Sequence, residues 1–496
     1  MQLPIRIDKE AEQSLQLQLF EQIRVLIADG RLKPGTPMPA SRVLAADLAV
    51  SRNTVVQAYE RLVSEGYIEV QKTSGTFVSD NVILDNPLPA ESAAGGEQVA
   101  AQACPRLVFQ GRSHVVVSPY AQSVAYDFWV GRPDARLFPG KAIQRVFNAS
   151  LRRMRFGISS YSQPEGLPEL RAAVIDYVGA ARGIKAESDQ VLIVNGIQEG
   201  LNILARLFLH HNVAVAVENP CYRGAANVFA SYGAKLTPVP VDADGIEIDQ
   251  LPTEAAFIYL TPSHQYPTGA TLALARRKRL LDWAQQTRAY VIEDDYDSDF
   301  YYDQAPLPAL QSMDEQGHVI YLGTFSKCLA PGLRIGYMVL PRHLMAAAVT
   351  AKALFNNCSS WLPQALLAEF IASGAFMHHL RRIRTTYRAR RDCLMDALKE
   401  NFGDVDIRGA QGGMHLIWQL PAHFPTASEL ERRCRTDDVG IYSGETGNAM
   451  LSGEAEARCA RMLMLGYAAL DENEIAEGIG RMASILEPEE SRHPLP

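Results

Sequence analysis

Apolar runs at Val191 to Val194, Val213 to Val217, Ala256 to Leu260, Tyr290 to Ile292 and Val319 to Leu322 recur through the middle of the chain. Stretches with helical spacing, such as Gln198 to His210 and Leu274 to Gln286, separate them. Strands that are apolar along their whole length leave neither face to water. Alternating with helices, they predict a largely parallel α/β sheet covered on both sides. Residues able to do chemistry follow every run: Asn195-Gly196, Glu218 to Tyr222, Thr261 to Pro267, Asp294 to Tyr296, and Lys327. Ligands of open α/β sheets bind at the carboxyl ends of the strands, so the pattern singles out one edge as the site.

Lys327 stands in the turn-rich stretch from Gly323 to Gly336, just after a buried run and seven residues before Arg334. A lysine partly stripped of water there loses its proton more easily and condenses with an aldehyde as a Schiff base. Thr324, Ser326 and Arg334 are suited to a phosphate, and Gly196, Ile197 and Gln198 open a helix whose first backbone N–H groups can cradle the same group. Tyr222 offers a flat face for stacking. Together these residues describe a pocket for pyridoxal 5'-phosphate (PLP).

At 496 residues the chain exceeds what one core holds, so two or three domains are expected. A formal net charge of -8 argues against a nucleic-acid coat, although a small reader domain fits within it. Seven cysteines with no CxxC pair are read as free thiols in a reducing compartment, and no metal site is expected. With neither a signal segment nor an apolar run of spanning length, the protein is expected to be cytoplasmic and off the membrane.

Residues 1–79 follow a different pattern. Ser14 precedes a helix carrying Leu15, Leu19, Ile23, Leu26 and Ile27 and closed by Gly30; Ser41 is expected to cap a short second helix, and Ser51 a third that ends before Gly66. Tyr67 to Val70 and Thr76 to Val78 read as two strands. Three helices and a hairpin make a winged helix-turn-helix. Its third helix would enter the major groove with Ser51, Arg52, Asn53 and Thr54, with Arg52 suited to guanine and Asn53 to adenine or phosphate. Arg42 and the wing residues Lys72, Ser74 and Thr76 suit the backbone and minor groove. The nine basic and nine acidic residues of this segment cancel, so the case rests on where the charges fall. Residues 80–105 have no periodicity and read as a linker, and 106–496 form the rest, with a smaller α+β subdomain from about 376 to 496.

Pro39 to Tyr59 (Pro-Ala-Ser-Arg-Val-Leu-Ala-Ala-Asp-Leu-Ala-Val-Ser-Arg-Asn-Thr-Val-Val-Gln-Ala-Tyr) and the set from Thr261 to Gly336 resemble the MocR-like branch of the GntR-family regulators. The resemblance spans nearly the whole chain apart from the linker. It implies a winged helix-turn-helix fused to a fold-type-I aminotransferase-like domain that binds PLP through Lys327. It also implies that Asp294, or Asp295 beside it, pairs with the pyridine nitrogen, that Tyr296 meets the ring's phenolic oxygen, and that Tyr161 reaches a neighbouring subunit's phosphate in a homodimer. The expected function is a regulator that binds a double-stranded DNA operator and senses a small amine or amino acid, or PLP itself. The alternative is a working PLP-dependent aminotransferase with an appended helix-turn-helix domain. Two departures bear on the choice. Tyr266 stands where such enzymes carry asparagine before Pro-Thr-Gly. Met464, which cannot donate to a carboxylate, stands at the apparent place of their substrate-clamping arginine, leaving Arg223 and Arg461 as candidates for an effector carboxylate.

Overall fold

The structure is a computed structural model and describes residues 3–9, 11, 13–71, 75–79, 124–153, 160–303, 305, 307–447, 449–450 and 452–486. These fall into two compact units, one ending at Ser79 and one beginning at residue 124. The proposed linker, Lys72 and Ser74 lie outside the described residues.

In the first unit, helices Leu15–Ala28, Ser41–Asp47 and Arg52–Ser64 precede a hairpin of Ile68–Gln71 and Gly75–Val78. Leu19, Ile23, Leu26 and Ile27 sit on one helical face and bury against Leu44, Val55, Leu62, Ile68 and Val78. Tyr59 ties the third helix to the preceding turn by donating to Pro39 O at 2.9 Å. The three serines expected as caps differ. Ser51 caps through its side chain, which accepts from Thr54 N at 3.0 Å. Ser14 occupies a cap position without a side-chain bond. Ser41 is already helical, and Ala40 takes the cap position instead.

The second unit is built on an eight-stranded sheet in the order Val191–Val194, Gly336–Val339, Val319–Thr324, Tyr290–Asp294, Phe257–Leu260, Ala214–Asn219, Lys235–Asp242 and Gly245–Ile246. Its centre is parallel, and Gly336–Val339 runs antiparallel between two of the predicted strands. Sequence pattern missed that strand and Lys235–Asp242. The latter contains Pro238 and Pro240, which read as strand breakers, yet their two-residue spacing sends both missing donors to the same side. Asn219 and Asp294 prove to be the last residues of their strands rather than loop residues.

A second, four-stranded antiparallel sheet, Asp406–Arg408, His415–Gln419, Met462–Gly466 and Tyr442–Ser443, forms the smaller lobe. The long helix Ala375–Phe402 packs with the helix Glu472–Leu486 in this part of the chain. The segment just after residue 124 joins the lobe too. Tyr126–Asp127 pairs in parallel with Val439–Gly440, and Gly466 N donates to Phe128 O at 2.9 Å.

Candidate functional site

Lys327 follows the strand Val319–Thr324, and its Nζ donates to Gly131 O at 2.9 Å. Gly131 has φ of 71°, and a Cβ there would come within 2.8 Å of the amine, so this glycine makes the lysine's seat. Burial lowers the pKa of Lys327, while the charges of Asp297 and Asp294 oppose the shift.

Asp294 ends the neighbouring strand. Its Oδ2 accepts from the Tyr259 hydroxyl at 2.7 Å, and its Oδ1 is buried with no partner. Burial pushes this carboxyl up to about 7, the Tyr259 bond working against the shift. Asp295 points into a different setting. It accepts from Arg182 Nε at 2.7 Å and from the Tyr321 hydroxyl at 2.6 Å, and these partners outweigh burial and lower its pKa. Of the two carboxylates, Asp294 is the one with a bare oxygen.

Arg334 is held at φ of 53° and donates through Nη2 to Asn195 O at 2.7 Å. Its guanidinium lies against Gly196, where a Cβ would be 2.6 Å from Nη2. Gly196, at φ 91°, caps the helix Ile197–Phe208, so a full charge and the helix's positive end meet at one point. Thr324 Oγ1 and Ser326 Oγ are 3.0 Å apart, and Thr324 pairs across the sheet with Gly336, next to Gly196. Gln198 turns its side chain away from this cradle and donates to Gly224 O at 3.2 Å. The Tyr222 ring folds over Gly224, where a Cβ would be 2.4 Å from it.

The rings of Tyr222 and Tyr266 meet edge-on at 5.9 Å, and those of Tyr266 and Tyr296 at 6.1 Å. The Tyr296 hydroxyl is 3.3 Å from His264 Nδ1, which also meets Asp297 Oδ2 at 2.8 Å. The Tyr266 hydroxyl donates to Gly447 O in the smaller lobe.

Tyr161 is 88 % exposed within one chain. Arg461 donates to the carbonyls of Pro421 and Phe424, and Arg223 donates to Ala449 O at 2.8 Å. Met464 is fully buried in an apolar cluster with Val130, Ile417, Tyr442 and Met462, flanked by Trp129 and Tyr266. In the first unit, Arg42, Ser51, Arg52 and Asn53 are exposed at the starts of their helices, and Thr54 and Thr76 are half-buried. Sequence reasoning missed Gly131, Tyr259, Asp297 and His415. The turn-like Gly131-Arg-Pro-Asp134 was a usable signal for the first.

The family model for bacterial regulatory proteins of the gntR family matches residues 15–78, and that for aminotransferase class I and II matches residues 136–481. Fold and site thus define a regulator with a GntR-type reader joined to an aminotransferase-like domain. The chain is 34% identical to the probable rhizopine catabolism regulatory protein MocR of Rhizobium meliloti, over 99% of this chain and 97% of that one. It is 31% identical to the HTH-type pyridoxine biosynthesis transcriptional regulator PdxR of Corynebacterium glutamicum, covering 90% of this chain and 92% of that one. The α-aminoadipate aminotransferase of Thermus thermophilus, solved in complex with N-(5'-phosphopyridoxyl)-L-leucine, superposes with a TM-score of 0.65 at 31% identity, over 74% of this chain and 92% of that one. The chain belongs to the MocR-like subfamily of GntR-family transcriptional regulators, and its likeness to regulators runs its full length where the transaminase covers only part. Its GntR reader implies DNA binding. Among the described residues, no helix is long and apolar enough to cross a membrane.

Proposed function

We propose that this regulator binds PLP at Lys327, senses a small amine or amino acid, or PLP itself, and passes the outcome to an operator-binding head in a homodimer. The unpaired, buried Oδ1 of Asp294 carries the reading, because a buried carboxylate oxygen without a partner is explained by a cationic donor that belongs there. The bound cofactor supplies an aldehyde and an electron-withdrawing ring. Every other element of the reading is a residue of this chain. Asp294 holds the ring nitrogen's proton, with Tyr259 fixing the carboxylate. Tyr296 faces the phenolic oxygen, and Tyr222 stacks on the ring. Gly196, Ile197 and Gln198 offer backbone donors to the phosphate, Thr324, Ser326 and Arg334 close around it, and Tyr161 reaches the phosphate of a second subunit.

An incoming amine that displaces Lys327 from the cofactor frees its nitrogen to donate to Gly131 O, and Gly131 connects through Phe128 and Gly466 to the smaller lobe. A ligand that favours one arrangement of the lobes shifts the population between them, and one that binds both equally regulates nothing. At the other end, Arg52, Asn53, Ser51 and Thr54 read the major groove while Arg42, Lys72, Ser74 and Thr76 hold backbone. Visible absorbance of the purified protein with PLP, lost in Lys327→Ala, is the expected result; absorbance unmoved by that substitution would overturn the proposal.

The assembled lysine, aspartate and arginine also suit an active aminotransferase. Sustained conversion of an amino donor and a keto acid would favour that reading, and Met464 weighs against it.

A further inference from the structure

Within the PLP-sensor reading, we propose that the amine side of the pocket is built for a hydroxylated amine rather than an α-amino acid, with His415 Nδ1 accepting the hydroxyl's hydrogen bond.

His415 opens the strand His415–Gln419 and is 1 % exposed. Its Nε2 lies 3.2 Å from Pro267 O, and since a carbonyl only accepts, the ring proton sits on Nε2. Nδ1 is therefore a lone pair, and it is buried with no partner. The neighbouring imidazole cannot satisfy it. His264, with its ring centroid 4.8 Å away, has both nitrogens engaged, one with Asp297 Oδ2 at 2.8 Å and one with Gly409 O at 3.2 Å. Burial, and next the charge of His264, press the pKa of His415 down to about 3. The ring remains a neutral acceptor throughout the working range of a cell.

Ring contacts and an apolar cluster link this histidine to the segment that holds the lysine. The His415 ring is 5.8 Å from that of Tyr266, and Tyr266 packs on the cluster of Val130, Tyr442 and Met464. Val130 adjoins Gly131, the residue that holds the lysine amine. The charge of Lys327 is also felt at His415. The nearby arginines have partners: Arg132 pairs with Asp127 at 2.8 Å, Arg461 is held by two carbonyls, and Arg223 is drawn to Ala449 O. A carboxylate on the amine-bearing carbon would face a thioether and a lone pair, with its hydration lost and nothing returned. A hydroxyl brings its own proton to Nδ1. A site built to hydrogen-bond a hydroxyl rejects the analogue lacking it far more strongly than an apolar pocket rejects a change of size.

The test uses three amines on one carbon skeleton, alaninol, alanine and isopropylamine, titrated against the full-length PLP-loaded protein. Both the visible spectrum and operator affinity by fluorescence anisotropy are read. Alaninol is expected to act at concentrations at least about tenfold below the other two. His415→Leu should bring alaninol level with isopropylamine, and His415→Asn, which keeps a carbonyl acceptor, should restore part of the difference. Alanine acting as tightly as alaninol, or an alaninol preference that survives His415→Leu in a protein that still shows the visible band, would overturn the inference and leave the PLP reading standing. A protein with no band, or a band indifferent to Lys327→Ala, would remove both.

Discussion

Asp294 pairs one oxygen with Tyr259 and leaves the other buried and bare, and its pKa is displaced upward to about 7 from an ordinary 3.8, chiefly by burial. The folded chain keeps this proton up to about pH 7, while the unfolded chain gives it up near 3.8, so unfolding releases a proton between those values. The stability contributed by the group is therefore greatest below the unfolded value and falls as pH rises through this window. Thermal unfolding across pH should show the wild type losing ground to Asp294→Asn, which cannot titrate, from about pH 4 to about pH 7. Glu218 and Glu293, also pushed up to about 7 by burial, titrate in the same range, so only the difference between the two proteins isolates Asp294. The same substitution keeps an acceptor for Tyr259 but removes the charge offered to the ring. It should weaken PLP retention by about 2 kcal/mol, measured as the cofactor's dissociation constant by equilibrium dialysis.

At the level of elements, the cap of the third helix is the most exposed weakness of the reader. Ser51→Ala removes the bond to Thr54 N and should cost about 1 kcal/mol, read as an earlier urea transition of the N-terminal unit together with weaker operator binding. Much of this architecture was legible in the sequence because burial on both faces writes a continuous apolar run, and Val191–Val194 or Phe257–Leu260 could hardly be anything else. Lys327 and Asp294 were legible for a related reason, since one follows and the other ends such a run, whereas Arg334 was picked out by its distance from Lys327 and precedes a strand that the pattern missed. What escaped notice depends on contacts between distant parts of the chain. Gly131 meets Lys327 across a separation of 196 residues, and His415 meets Pro267, in the loop after Phe257–Leu260, 148 residues away. Local periodicity carries no trace of either. The Lys235–Asp242 strand escaped for the opposite reason, because its prolines speak locally against a strand and only the neighbouring Ala214–Asn219 makes it one.

For the whole molecule, an acidic chain must reach DNA through a reader whose own charges cancel, so a few well-placed cations set its affinity. Arg52→Ala should relax sequence preference at one operator position, costing about 1–3 kcal/mol there, whereas Arg42→Ala should weaken binding evenly and lower the slope of log affinity against log salt by about 1. Anisotropy titrations over a salt series distinguish the two. Coming from the reader, the described chain resumes at Val124. Tyr126 and Phe128 are then stitched into the smaller lobe by hydrogen bonds to Asp438 O and Gly440 O, and three residues later Gly131 O grips the lysine. The strand that enters the smaller lobe and the carbonyl that holds the Lys327 amine thus share one brief length of main chain, so whatever loosens one tugs on the other.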